Sequence, residues 1–166
     1  MALTQVASGL IASVAGSTIT GSRSIPASTV PAGSVIQVVS RFDPNTAVLT
    51  SASALCGISI TLSSTSSKVL VCASCSVERA SGTQGGAYIY VHPRRNGTML
   101  GNSGSILNAA GYQTNINSRQ GGAIQYLDSP ASTSALSYDI YQDFATSGGA
   151  QFLFYGLNIT LMEIAG

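Results

Sequence analysis

The segment near the C-terminus constrains the fold most, because two neighbouring stretches distribute their apolar residues differently. From Ala135 to Phe144 apolar and polar residues alternate. One face holds Leu136, Tyr138, Ile140 and Phe144, and the other holds Ser137, Asp139, Tyr141 and Asp143. Such alternation predicts a strand with one buried and one wet face. From Gln151 to Tyr155 both faces are apolar, so one face can pack on the chain's own core while the other needs a second cover. We expect that cover to be another copy of the protein.

Further strand patterns, separated by turn residues, extend along the rest of the chain. From Lys68 to Glu78 a period of two is clear, and it predicts these inward residues: Val69, Val71, Ala73, Cys75 and Val77. Ser34 to Phe42 is apolar on both faces, and Asn96-Gly97 marks a hairpin after the strand that ends at Pro93. About eight strands result, with no helical period of ten residues. We therefore predict an all-β fold, a β-sandwich or jelly roll, and the lack of crossover helices excludes a parallel α/β architecture.

The composition is unusual for a freely soluble monomer. Charged residues make up 8% of the 166 residues, against about 25% in ordinary globular domains, while 45% are hydrophobic. The length fits one domain with a core of its own. The surface must therefore be covered by uncharged polar residues and glycine, be buried against other subunits, or both.

Residues 1 to 32 lack a sustained helical or strand period and contain Pro26 and Pro31. We interpret them as an extended N-terminal arm, followed by a single domain over residues 33 to 166. The arm carries scattered apolar residues suited to docking on a neighbouring surface, namely Leu3, Val6, Leu10, Ile11 and Val14. The alternative is a tail with no docking role. The segment lacks the charged start and apolar block of a secretion signal, and it is too polar to cross a bilayer.

Charge and residue inventory argue against several functions. The formal net charge is +1, with no basic stripe for a nucleic acid backbone. Arg94-Arg95 is the one basic pair; we favour a solvated hairpin tip over a contact to an acidic partner.

Catalytic and metal-binding constellations are also missing from the pattern. Cys72 and Cys75 form a C-x-x-C inside a strand, where residues three apart point to opposite faces. His92 is the only histidine, and we expect it to be exposed or interfacial. Asp139 and Asp143 lie about 13 Å apart along one strand face, too far for paired acid and base work. The sequence thus predicts neither an enzyme nor a bound cofactor or metal.

Four pieces of the sequence, taken in order, resemble a family of virion proteins from tailed bacteriophages. They are Val30 to Val39, Ile58 to Val71, Tyr126 to Ser134 and Asn158 to Ile164. Their order and spacing make the resemblance more specific than any single piece. The family's domains are jelly rolls similar in fold to tumour necrosis factor and complement C1q heads. The resemblance therefore implies a jelly-roll β-sandwich of this kind, preceded here by the arm.

The resemblance also implies a homotrimer, with subunits packed around a threefold axis through apolar and aromatic strand faces. On this analogy the interface contains either Tyr88 and Tyr90 or Phe152 and Phe154, and the sequence leaves both sets open. This implication agrees with the strands that are apolar on both faces.

Domains of this family occur as decoration (cement) proteins on the capsid and as tips of tail fibres. Fibre proteins usually carry long shafts or attachment modules ahead of the tip, whereas only about thirty residues precede the domain here. We therefore expect a capsid decoration protein on the virion surface, assembled in the host cytoplasm, with the major capsid protein as its partner. The alternative is a tail-fibre tip or receptor-binding protein that recognises the host surface and attaches to tail proteins. Neither nucleic acid nor membrane is an expected partner.

Overall fold

The computed structural model describes residues 30–44, 47–49, 51–81, 87–101, 107–108, 119–146 and 151–166. These residues form ten strands and no helix. The strands are β1 (Val35–Asp43), β2 (Ala47–Leu49), β3 (Ser53–Thr61), β4 (Lys68–Ser81), β5 (Ala87–Arg95), β6 (Thr98–Met99), β7 (Leu107–Asn108), β8 (Arg119–Asp128), β9 (Ala135–Thr146) and β10 (Gln151–Ile164). The predicted all-β class is confirmed. The predicted arm, apart from its last three residues, lies outside the described residues.

The strands form two five-stranded antiparallel sheets, consistent with a β-sandwich. Sheet A has the order β1-β10-β4-β8, with β2 also paired to β10. Sheet B has the order β3-β9-β5-β6, with β7 also paired to β5.

The period-two patterns of β4 and β9 are confirmed by burial. In β4 the predicted inward residues, Val69 through Val77 at alternate positions, are all buried. In β9 the residues Leu136, Tyr138 and Ile140 are buried, and Ser137 on the opposite face is exposed. The side chain of Phe144 lies outside the described part. A strand whose side chains alternate in this way exposes one face while the other enters the core.

The core lies between the two sheets, and β10 contributes to it along most of its length. Phe152 and Phe154 are buried at one end, and Leu157, Ile159 and Leu161 are buried further on. The inward positions change from even to odd numbers because the pairing with β4 shifts between Tyr155 and Asn158. Gly156 lies within this irregularity with a positive φ of 58°, a conformation that glycine adopts most readily.

Two buried carboxylates connect the sheets with each other and with the loops. Asp128 at the end of β8 accepts hydrogen bonds from Arg95 at 2.8 and 2.7 Å and from the Tyr138 hydroxyl at 2.7 Å. Glu163 on β10 accepts from the Ser63 main-chain N–H at 2.8 Å and from Gln37 Nε2 at 2.6 Å. Burial alone would raise the pKa of Glu163, but hydrogen bonds to its charged form together lower it. The carboxylates are therefore part of the packing rather than of an open site.

Candidate assembly surface

The outer face of sheet A carries a row of apolar side chains that crosses four strands. Val38 on β1 lies opposite Met162 on β10. Met162 lies opposite Leu70 on β4, and Leu70 lies opposite Leu127 on β8. Val38 and Leu127 are 55% and 51% exposed, and the two residues between them are half-buried. Side chains directly opposite on adjacent strands are in contact range, so the row forms one continuous apolar strip.

Two further rows run beside this strip and contain no charged residue. One holds Ser40, Thr160, Cys72 and Gln125, and the next holds Phe42, Asn158, Ser74 and Ala123. Phe42 is 60% exposed. We call these three rows the central band of sheet A. With about 4.8 Å between strands and about 6.8 Å between rows, the band covers roughly 400 Å².

Charged side chains on this outer face, as far as it is described, lie at its two ends. Lys68 stands at one end, opposite Ile164. At the other end Arg119 contacts Glu78 at 3.1 Å and lies 3.7 Å above the ring of Tyr155. A face of this kind loses little charge solvation when another surface covers it.

The outer face of sheet B has a different chemistry. Arg94 donates to both carboxylate oxygens of Asp139, at 2.8 and 3.0 Å, and its guanidinium lies 3.8 Å from the centre of the Tyr141 ring. The hydrogen bond to Asp139 raises the pKa of Arg94. Next to this pair, a Cβ on Gly57 would lie 3.1 Å from both Asp139 Cβ and the Tyr138 carbonyl oxygen. Glycine therefore allows β3 to approach the ion pair closely.

The interface prediction for Phe152 and Phe154 is wrong. Both side chains are 0% exposed in the single chain, because they lie on the face of β10 that packs into the core. Leu153 and Tyr155 occupy the outward face of that segment and are half-buried. The segment is therefore apolar on both faces, as its sequence indicates, but the residues offered to a neighbour are not the two phenylalanines.

The structure describes only some of the remaining residues predicted for the interface and for docking. Tyr90 is half-buried and lies opposite Asp143, which puts it on the outer face of sheet B and away from the central band. The backbone of Tyr88 pairs with Ala145, and its side chain lies outside the described part. The docking residues of the arm, Leu3, Val6, Leu10, Ile11 and Val14, also lie outside the described residues.

The expectation that His92 is exposed or interfacial is wrong for the single chain. His92 is 1% exposed and stacks on Tyr141, with ring centres 6.1 Å apart. Burial lowers its pKa, and the positive charge of Arg94 acts in the same direction while Asp143 opposes it. Among the described residues, neither ring nitrogen has a hydrogen-bond partner. Burial therefore favours the neutral form of the ring.

The two arginines of the hairpin are neither a solvated tip nor free for an acidic partner. Arg94 is bound by Asp139 and Arg95 by Asp128. The predicted turn itself is confirmed, since Asn96 and Gly97 both have positive φ, 48° and 79°, as a two-residue hairpin with a primed turn requires.

Cys72 and Cys75 point to opposite faces of β4, as predicted. Cys72 belongs to the central band and is partly accessible, whereas Cys75 is buried. Burial raises the pKa of Cys75 to about 11. The pair therefore cannot hold one metal ion from this strand. Within the described ranges no helix is long and apolar enough to span a membrane.

A scan against models of protein families finds no match, and a search of curated proteins finds no match either. A functional proposal therefore depends on the surfaces just described and on the sequence resemblance.

Proposed function

We propose that the chain is a virion structural protein of a tailed bacteriophage: a homotrimeric capsid decoration (cement) protein that binds neighbouring capsomers and stabilises the head. The observation that carries the proposal is the central band of sheet A. It is an accessible, uncharged surface that includes a continuous apolar strip, in a chain of which 8% is charged.

The strand order supports a jelly-roll topology. When β2 and β7, which pair beside the main strand order of each sheet, are set aside, sheet A contains the first, eighth, third and sixth of the remaining strands, and sheet B contains the second, seventh, fourth and fifth. Two four-stranded sheets that share the strands in this order are expected for two nested Greek keys.

The central band is smaller than one complete interface, so it would be only part of a contact between subunits. A stable interface buries about 800 Å² on each partner, about twice the area of the band. In a ring of three, each subunit meets two neighbours through different surfaces. The band would then supply the apolar part of one contact, and other surfaces of the subunit would supply the rest.

Copy number in purified particles tests the capsid role. We expect hundreds of copies per particle, measured by quantitative mass spectrometry against the major capsid protein. A few dozen copies or fewer would contradict the capsid role and favour the tail-fibre tip that recognises the host surface.

Deletion of residues 2 to 21 tests the role of the arm. We expect the truncated chain to remain trimeric and to lose attachment to particles that lack the protein. A matched control with Leu3, Val6 and Leu10 intact and Ser17 and Thr18 replaced by alanine should attach normally. Loss of the trimer itself would show that the arm belongs to the fold and would contradict the domain boundary at residue 32.

A further inference from the structure

The described strands leave four sheet edges, and three of them are protected. On one side of the sandwich β1 and β3 lie next to each other, and β1 side chains cap the main chain of β3. Gln37 Nε2 donates to the Thr61 carbonyl at 2.6 Å, and Arg41 donates to the Gly57 carbonyl at 3.1 Å. Both strands also contain an irregularity in their pairing. On the other side, β6 and β7 pair with β5 and are two residues long each. Bulges, charges and short edge strands all hinder the addition of another strand.

The fourth edge, β8, shows no bulge in the described part of the chain, is ten residues long, and carries charges only at its two ends. Its ten residues pair with β4 in continuous register, from Val69 opposite Asp128 to Glu78 opposite Arg119. In the part of the chain that is described, β8 pairs on this side alone. The eight residues between its two terminal charges are uncharged and contain no proline. Four of its outward positions, Gly121, Ala123, Gln125 and Leu127, are exposed. A long, straight and uncharged edge presents a row of main-chain donors and acceptors to an incoming strand.

We propose that β8 docks on β8 of a second copy, antiparallel and across a twofold axis, so that sheet A continues from one molecule into the next. This contact goes beyond the proposed trimer and would join two trimers.

The side chains of β8 are complementary to themselves in this arrangement. The first half is small, with Gly121, Gly122 and Ala123, and the second half is large, with Gln125, Tyr126 and Leu127. When two strands pair antiparallel about Ile124, each small residue lies opposite a large one, Gly121 opposite Leu127 and Ala123 opposite Gln125. Cross-strand neighbours of this kind fill space on both faces of the new pair.

The charges at the strand ends and the direction of the strands also favour a second copy over the chain's own N-terminal segment. The antiparallel pair brings the Arg119 end of one strand to the Asp128 end of the other, so like charges do not meet. An extended segment preceding Val30 and laid along β8 of its own chain would run parallel to it, since β1 starts where β8 ends. Parallel pairing is the less stable alternative.

The experiment uses two singly substituted full-length chains, Gly121→Cys and Leu127→Cys, each with Cys72→Ser to remove the accessible native thiol. A Cβ on Gly121 would meet its nearest neighbours at 3.8 and 4.0 Å, so the substitution fits. Mixed under mild oxidation, the two chains should give a cross-linked dimer at least tenfold faster than either chain alone. Equal rates, or no cross-link from the mixture, would overturn the proposed register.

A second variant tests the edge without cross-linking. Gln120 is exposed on β8 and lies outside the central band. Gln120→Glu places a carboxylate opposite Asp128 of the second copy in the proposed register, where like charges are unfavourable, and Ser137→Glu is the control on the exposed outer face of sheet B. In sedimentation velocity, species larger than the trimer should appear at high concentration for the wild type and the control. For Gln120→Glu they should be at least tenfold weaker while the trimer persists. No such species in the wild type, or unchanged association in Gln120→Glu, would overturn the β8 contact. Loss of the larger species only on deletion of residues 2 to 21 would assign the edge to the arm instead. Because trimer and larger species are measured separately, loss of the trimer bears on the proposed function and not on β8.

Discussion

The two outer faces of the sandwich differ in where their charged and apolar side chains lie. On sheet B the charges of Arg94 and Asp139 are paired with each other, and the Arg94 guanidinium stacks on Tyr141. On sheet A the charged residues lie at the ends, and the band between them includes accessible apolar side chains. Other charged residues, Arg95, Asp128 and Glu163, are paired or hydrogen-bonded inside the sandwich and add no charge to the outer face of sheet A. The difference supports the proposal that a neighbouring subunit covers sheet A rather than sheet B.

The largest expected effect is on the free energy of unfolding, and it distinguishes the inner face of β10 from its outer face. Phe154→Ala should lower the free energy of unfolding by about 3 to 5 kcal/mol, because it removes a fully buried ring. Its neighbour Leu153, half-buried on the outer side, provides the control, and Leu153→Ala should cost about 1 kcal/mol. Urea unfolding measures both. Similar losses from the two variants would contradict the assignment of inner and outer faces.

The ion pairs of the two faces should differ in strength. Arg94 and Asp139 are about one-fifth exposed and bonded in a bidentate fashion, so a double-mutant cycle with Arg94→Met and Asp139→Ala should give a coupling of about 1 to 2 kcal/mol. The pair of Arg119 and Glu78, with the arginine 52% exposed, should give a smaller coupling energy, because water and salt screen an exposed pair. Equal coupling energies would contradict the expectation that the less exposed, bidentate pair on sheet B is the stronger one.

The smallest effect concerns pH and His92. Because burial lowers its pKa from the ordinary 6.5, the unfolded chain binds more protons than the folded chain at acid pH. The stabilisation is therefore fully present above pH 6.5 and decreases as the pH falls below that value, by at most about 1.4 kcal/mol per unit. Unfolding measured at pH 7.5 and 5.5 should show this decrease, and His92→Phe should reduce it. If the substitution leaves the pH dependence of the unfolding free energy unchanged, a group other than His92 is responsible for it.

Local pattern was enough to predict the all-β class and the buried residues that the structure describes on β4 and β9. Alternation along β4 and β9 depends only on neighbours in sequence, and the turn at Asn96-Gly97 depends on two residues. The apolar strip of sheet A could not be predicted in the same way. Its members come from four strands that are distant in sequence, so the strip exists only once strand order and register are known.

Two predictions were wrong for the same reason: the interface role of Phe152 and Phe154, and the solvated hairpin tip at Arg94-Arg95. The sequence shows that β10 is apolar on both faces, but the face that meets the core depends on the irregularity at Gly156 and on the second sheet. In the same way, the partners of Arg94 and Arg95 lie more than thirty residues away. Periodicity assigns residues to faces, whereas contacts between distant segments decide what covers each face.

The most direct test is the mass of the full-length chain at low micromolar concentration, by sedimentation velocity, for the wild type, Leu70→Glu and Ser137→Glu. Leu70 lies within the apolar strip of the central band, so an unpaired carboxylate there should block coverage and cost several kcal/mol in the assembled state. The account predicts a trimer for the wild type and for Ser137→Glu, and a folded monomer for Leu70→Glu. A monomeric wild type, or a trimer that Leu70→Glu leaves intact, would contradict it.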